Sequence, residues 1–588
     1  MRWLTAVVLA LTVLPALSNA QSSGITTYCN PVDLDYRYNW EQSDQKISYR
    51  SGADPVMVYH RGTYYLFATI SGGWWRSPDM LHWQFVEPNV WPVDDNCAPA
   101  GLFVRDTFYL FQSAFTPRPV YWTTNLDSGS LHVFTPRLEV PSGAAGPWDP
   151  GVYHDEETDR WYLYWGSSNV YPLWGIELDH AGKFSYRGTA KALITLHPDQ
   201  NGWERFGRDH TDPRLPFMEG AWMTKHDGKY YLQYGAPGTE YNVYANGVYV
   251  GDDPLGPFVY APNNPISYKP GGFVTGAGHG NTFQDRYGNY WNTGTPWIAV
   301  NWDFERRIAQ FPAAFDRDGL LHASTRFGDL PHRLPSGPVA DPAELFAGWM
   351  LLSYRKAVTA TGYAPGHAPI ALTDEDPRTY WLAENTPAGQ WVILDLGAAC
   401  TVRALQVNYT DHQSGIYRMD STVYTQFRIF ASVDSVQWNL IADLSHEKRD
   451  RPNAYIELPA PVHARYIRYE HLHVSANHLA ISDIRVFGQC NVPLPAVAVG
   501  LTVRRHEDER DATISWDPVP GVVGYNILWG IAPDKLYQTY QVFADRPCLL
   551  ELRALTVGQG YHVAIEAFNE AGVSRRSEVV ALPTGSRK

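Results

Sequence analysis

No stretch after residue 20 approaches the roughly 20 consecutive apolar residues that a membrane helix needs, so no span is expected in the body of the chain. Charged residues are scarce, at 18% of 588. A basic excess is lacking too: 47 Lys and Arg stand against 61 Asp and Glu, a formal net charge of -14. That balance argues against a nucleic-acid partner, whose phosphates would be repelled. Cysteine is rare. The five are Cys29, Cys97, Cys400, Cys490 and Cys548, none at metal-ligand spacing, and an odd count leaves at least one outside any disulfide.

What is abundant is aromatic. Phe, Trp and Tyr make up 14% of the chain, with 22 Trp. Few charges and many aromatics suit short strands and sugar-stacking surfaces better than a helical bundle. The length predicts about three or four domains. Residues 1–20 read as a secretory signal: Arg2, an apolar run from Leu4 to Leu17, then Ser18-Asn19-Ala20. A secreted or periplasmic location is expected from it.

One pattern recurs five times between Asp54 and Pro296: an apolar stretch, a turn, then an aromatic strand. The aromatic strands are Thr63–Phe67, Phe108–Phe111, Trp161–Trp165, Tyr230–Tyr234 and Tyr290–Thr293. Repetition at this period predicts four-stranded blades around a channel. The first strands open on Asp54, Ala98, Asp149, Glu219 and His279. In a propeller the first strand of each blade lines the axis, so these five positions converge on one funnel. Three carboxylates and an imidazole there suit glycoside hydrolysis. One carboxyl stays protonated for the leaving oxygen, and another, ionised, activates water.

The same residues resemble glycoside hydrolase family 43 over roughly residues 28 to 335. Ala53-Asp54-Pro55, Asp149-Pro150, Glu219-Gly220 and Gly278-His279-Gly280 match the family's blade motifs. The resemblance implies that Asp54 is the general base, Glu219 the general acid, and Asp149 the residue that raises the acid's pKa and positions it. It also implies a histidine, His279, on the channel axis, and inversion at the anomeric carbon. Two positions depart from the family: Cys97-Ala98-Pro99 stands where Trp-Ala-Pro is usual, and Ala221 follows Glu219-Gly220 where Pro is usual. Both bear on the subsite wall, and so on the sugar. Sialidase-type Ser-X-Asp-X-Gly-X-Thr-Trp boxes are absent.

Around these acids His279, Trp74, Trp75, Trp148 and Trp222 are the substrate-binding candidates, with propeller packing the alternative for Trp74 and Trp75. The insertion at 195–218, dense in His, Arg and Asp, is read as a specificity loop; a metal at His210 and Asp212 is the weaker reading there. Phe217-Met218 is expected to wall Glu219 with apolar surface. Arg306 or Arg307 is a candidate partner for substrate or carboxylate. Trp297 to Gln310 is expected to close the ring, and the Pro-rich 330–338 to be a linker.

Residues 341–489 resemble a discoidin (coagulation factor 5/8 type C) domain, also used as a family 32 carbohydrate-binding module. The resemblance rests on Gly389–Gly397, Phe427–Ser432, Ala464–Tyr469 and Ala480–Gly488, and implies a jelly-roll sandwich. Within it Cys400 and Cys490 are the natural disulfide pair on domain grounds. Asp374 and Asp376 lie where relatives hold a structural calcium, or else cap a turn. Residues 497–584 resemble a fibronectin type III domain, through Ala512–Trp516, Gly524–Gly530 and Tyr561.

The fold class expected is therefore all-β: a five-bladed β-propeller over 21–335, a jelly-roll sandwich and an immunoglobulin-like sandwich. The function expected is an exo-acting, inverting glycosidase, monomeric, acting on a polysaccharide or oligosaccharide. It needs no cofactor and no catalytic metal, with calcium expected at most as a structural ion in the discoidin domain or the propeller channel. The alternatives are a retaining propeller hydrolase and a noncatalytic glycan-binding protein that uses the discoidin domain.

Overall fold

The computed structural model describes residues 26–585 apart from 40–41, 91–96, 114–115, 385–388 and 418–421. The signal at 1–20 lies outside the described residues. Five antiparallel sheets follow one another along the chain, each a meander of four consecutive strands, and the fourth sheet adds a fifth strand, Ser267–Tyr268, beside its third. Their first strands are Ala53–His60, Ala100–Val104, Gly151–Asp155, Glu219–His226 and Thr282–Gln284. The five-bladed propeller is thus present. Apart from single-turn 3₁₀ helices the described residues hold no helix, and none is long and apolar enough to cross a membrane.

Blade 5 is complete in itself, with third and fourth strands Ala309–Phe315 and Leu321–Ala323. The stretch 297–310 feeds that third strand, and on the way Arg306 O accepts from Gly52 N at 3.2 Å at the start of blade 1. Side chains add to the closure. The Asn281 amide accepts from Met57 N at 2.9 Å and donates to Met57 O at 2.8 Å, bridging blades 5 and 1 as a backbone pair would. The lead-in segment runs beside blade 5, where Val32 N donates to Ile308 O at 2.9 Å.

Trp74 and Trp75 are core residues, 1% and 0% exposed, which corrects their reading as sugar platforms. They are neighbours on the third strand of blade 1, Trp74–Ser77. Successive strand residues point to opposite faces, and a blade is covered on both faces, so both rings are buried. Their indole N–H groups donate to Leu126 O at 3.2 Å and Asp35 Oδ1 at 2.5 Å.

Two further β-modules follow. The first is one continuous sheet folded on itself by two long strands, Trp391–Tyr409 and Asn453–Val474. These bend at register shifts and run through both layers of a sandwich. Cys400 and Cys490, opposite each other on neighbouring strands, are joined by a disulfide. The last module packs a three-stranded sheet against a five-stranded one around Trp516, Tyr525, Ile527 and Ile565.

The modules are locked to the propeller by buried charge. Arg50 of the lead-in contacts Asp411 at 3.2 Å and Asp450 at 2.9 Å, all three no more than 2% exposed. Arg485 of the sandwich pairs with Glu375 at 2.9 Å and donates to Asp329 O of the propeller at 2.7 Å. The supposed linker is part of this packing: Leu330 and His332 are buried, and His332–Arg333 pairs with Thr27–Tyr28.

The insertion at 195–218 is a docking surface for the last module. Gly202 N donates to Leu555 O at 2.8 Å, Arg205 pairs with Asp511, and Arg510 donates to Pro198 O at 2.6 Å. His210 is buried and bonded to Arg205 O and Tyr268 OH, each at 2.9 Å, while Asp212 pairs with Arg214. These partners account for both side chains, which removes the metal option at His210 and Asp212.

Candidate active site

The inner strands begin with a residue in the left-handed region. The five are Asp54 (φ 52°), Ala98 (37°), Asp149 (50°), Gly220 (66°) and His279 (45°). Four of them are not glycine, and such backbone costs about 1–3 kcal/mol each, which the surrounding ring must hold in place. In blade 4 the equivalent position is Gly220, so Glu219 stands one residue before it. A Cβ at Gly220 would lie 2.6 Å from His279 Cδ2. Blade 4 thus yields its left-handed position to the imidazole and presents its carboxylate on the longer Glu side chain.

The acids meet around that imidazole. His279 Nδ1 lies 3.2 Å from Asp54 Oδ1, 3.8 Å from Asp149 Oδ2 and 3.9 Å from Glu219 Oε1. All four side chains are nearly buried, with Glu219 the most exposed at 14%. Burial pushes the His279 pKa down, but the three carboxylates outweigh it and hold the pKa above its ordinary value.

The two aspartates are driven apart. Burial pushes Asp54 up, yet His279, Arg306 and the Thr69 hydroxyl outweigh it and hold its carboxyl below the usual range. Arg306 Nη1 lies 3.5 Å from Asp54 Oδ1, and Thr69 Oγ1 donates to Oδ2 at 2.6 Å. Asp149 is pushed up to about 8, first by burial and then by the charges of Glu219 and Asp54, against the pull of His279. Two like carboxylates within 4.8 Å of each other cannot both ionise cheaply. Asp149 therefore holds a proton near neutral pH, while Asp54 is ionised.

Glu219 is held by hydroxyls where an apolar wall was expected. Tyr244 OH donates to Oε1, Ser167 Oγ donates to Oε2 at 3.1 Å, and Phe217 is 37% exposed. Tyr244 fits because Gly278 has no side chain: a Cβ there would sit 2.7 Å from the ring.

Further hydroxyls tie blade to blade. Thr295 Oγ1 accepts from Asp54 N at 2.9 Å, Thr69 Oγ1 from Ala98 N at 2.7 Å, and Ser113 Oγ from Asp149 N at 2.8 Å. With Ser167 on Glu219, four of the five blade junctions carry such a link. Sequence reasoning missed these residues, although a signal was present: an aromatic followed two positions later by a hydroxyl, as in Phe67-Ala68-Thr69, Phe111-Gln112-Ser113 and Trp165-Gly166-Ser167.

Of the remaining candidates, Trp148 is half-buried beside Asp149, with its carbonyl accepting from Gly166 N at 2.8 Å. Trp222, half-buried, donates through Nε1 to Thr282 O at 3.1 Å and so braces blade 4 against blade 5. Arg306 touches the acids, whereas Arg307 is buried against Arg50 O at 2.5 Å and Asn453 Oδ1 at 3.2 Å.

Asp149, Glu219 and His279 offer three ligand atoms within 4.8 Å of one another. Calcium takes six to eight oxygen ligands. Three side-chain atoms, one of them a ring nitrogen, fall short of that set. In the sandwich, Asp374 accepts from Asp376 N at 3.0 Å and Thr379 Oγ1 at 2.7 Å, and Asp376 pairs with Arg378 at 2.8 Å. That is a capped turn. The buried Asp483 beside it keeps one carboxylate oxygen without a partner among the described residues. A calcium in this module would be held by Asp483 and Asp374 and would offset their charge.

A Gly220→Ala substitution tests the packing at the centre. With φ at 66° and His279 in the way, kcat should fall at least tenfold, and circular dichroism should stay that of the parent. Unchanged kcat would mean that the imidazole moves freely.

Residues 45–295 match the sequence model described as Glycosyl hydrolases family 43, and residues 357–484 match that of the F5/8 type C domain. No curated protein matches the chain. Among solved structures, one titled "Glycoside hydrolase" is 18% identical, with 74% of this chain and 97% of that one covered at a TM-score of 0.44. An endo-1,4-beta-xylanase from Bacteroides thetaiotaomicron VPI-5482 is 22% identical, with 47% and 95% covered at 0.38. An exo-1,5-alpha-L-arabinanase from a bovine ruminal metagenomic library is 20% identical, with 47% and 97% covered at 0.37. The protein is a glycosidase, whose propeller matches the family 43 model over residues 45–295 and whose sandwich matches the F5/8 type C model over residues 357–484.

Proposed function

We propose that the protein is an exported, exo-acting glycosidase that inverts at the anomeric carbon. The reading is carried by one observation: three acids within 4 Å of a single imidazole nitrogen, with Asp54 held ionised and Asp149 held protonated. Glu219, the most exposed of the three, gives a proton to the leaving oxygen. Asp54 takes a proton from the water that attacks the opposite face. Asp149 positions Glu219 across His279, and Arg306 keeps Asp54 ionised. No cofactor enters any step.

Exo action is read from the sandwich, whose Arg378 stands over the Trp297 ring at 4.7 Å, two residues from the Thr295 hydroxyl that accepts from Asp54 N. Arabinofuranose, xylose and galactose are the candidate terminal sugars, and a monomer is proposed. The last module, with Trp516 in its core and Tyr561 OH accepting from Thr556 N at 3.0 Å, is proposed as a fibronectin type III domain.

Proton NMR of the first-formed anomer tests the stereochemistry: appearance of the retained anomer first overturns inversion. A product profile that contains only monosaccharide supports exo action, and early oligosaccharides overturn it. The pH profile gives a sharper check. The alkaline limb of kcat/KM should lie near 8, where Asp149 loses its proton. Asp149→Asn removes the group that titrates there, so in that variant the limb should move away from 8. An unmoved limb would exclude Asp149 from tuning the acid.

A further inference from the structure

We propose that the cleft where the three modules meet binds a stretch of the substrate glycan beyond the scissile bond. This rests on the glycosidase reading and adds a second binding region to it. The cleft has a volume of about 590 Å³ and takes residues from the propeller, the sandwich and the last module. That volume is in the usual range for ligand sites, about 300–1,000 Å³.

Trp297 connects the cleft to the acids. One side of its backbone is bridged to Thr275, which lines the cleft. The other side is bridged to Arg306, whose guanidinium lies 3.5 Å from Asp54. Two arginines from different modules stand over the Trp297 ring: Arg378 at 4.7 Å and Arg208 at 5.8 Å. Trp297 therefore stands between the acids and the cleft, with Arg306 on one side and Thr275 on the other.

The lining offers unused hydrogen-bonding groups of both kinds. Arg208 and Arg546 are exposed and have no carboxylate partner among the described residues. Each guanidinium carries five N–H donors. On the acceptor side, Gln541 is 5% exposed, yet its Oε1 has no partner among the described residues. Leaving a buried acceptor unpaired costs about 1–3 kcal/mol. Asp209, held by Tyr540 OH at 3.1 Å and Asn242 Nδ2 at 2.9 Å, adds a fixed carboxylate. A simple anion would satisfy the donors and leave Gln541 and Asp209 facing it. A sugar hydroxyl donates and accepts at once, so a chain of them meets both sets.

The test uses the full chain carrying Glu219→Gln, so that ligands persist. Binding of monosaccharides and hexasaccharides from xylan, arabinan and galactan is measured by calorimetry. A hexasaccharide of the cognate series should bind at least tenfold more tightly than its monosaccharide. The added pair Arg208→Ala and Arg546→Ala, both on exposed side chains, should erase that gain and leave monosaccharide affinity in place. A gain that survives the double substitution, or no gain at all, overturns the cleft proposal alone. Failure of every sugar to bind would instead overturn the sugar assignment on which it rests.

Discussion

Glu219→Gln should lower kcat/KM by about 10³-fold on a glycoside with an alkyl leaving group, and far less on one with a nitrophenyl group. General acid catalysis contributes typically 10²–10⁴-fold, and 10³ corresponds to about 4 kcal/mol of barrier. The difference between leaving groups is the diagnostic part. A nitrophenolate departs without a proton, whereas an alkoxide needs one. Asp54→Asn should cost about 10³-fold with both, because activation of water does not depend on what leaves. Glu219 accepts from Tyr244 and from Ser167 at 3.1 Å, and Gln can keep one of these bonds by turning its carbonyl toward it. The substitution is therefore a test of proton supply more than of folding. Equal losses on both leaving groups for Glu219→Gln would remove it from the acid's role.

Arg50→Ala should destabilise the chain by about 3–5 kcal/mol, because it leaves Asp411 and Asp450 buried without their cation. Removing one partner of a buried pair costs far more than the pair contributes, since the stranded charge keeps its desolvation penalty. The loss should also show in the shape of the melt. Arg50 belongs to the lead-in segment and both acids to the sandwich, so the two modules should begin to unfold separately. Restoring neutrality with Arg50→Met together with Asp411→Asn and Asp450→Asn should recover much of the loss. A single unchanged transition for Arg50→Ala would show that the contact is not what couples them.

The propeller was legible because its signal is local and repeated. Strand, turn and aromatic strand recur, and equivalent positions of a ring must converge, so Asp54, Asp149 and Glu219 could be brought together from spacing alone. The register of blade 4 was not legible. The first strand was counted from its carboxylate, while the backbone counts from Gly220, and only the clash with His279 shows why. Tyr244 was missed because it enters from the head of a third strand, with no motif around it. Trp74 and Trp75 were ambiguous for a related reason: an adjacent Trp pair suits a sugar platform as well as a blade covered on both faces. The module interfaces were invisible. Arg50 and Asp411 lie 361 positions apart, and nothing in the composition near either one announces the other.

The hydroxyl links between blades carry a consequence for how such a ring can change over time. Each acid is steadied partly by its own blade and partly by the neighbour before it. Duplicating or deleting one unit of the ring would therefore slacken a carboxylate in a unit that was itself untouched. Symmetry number and chemistry are inherited together here. Descent can vary the outer strands and the attached modules freely, but five-foldness is fixed by the acids it serves.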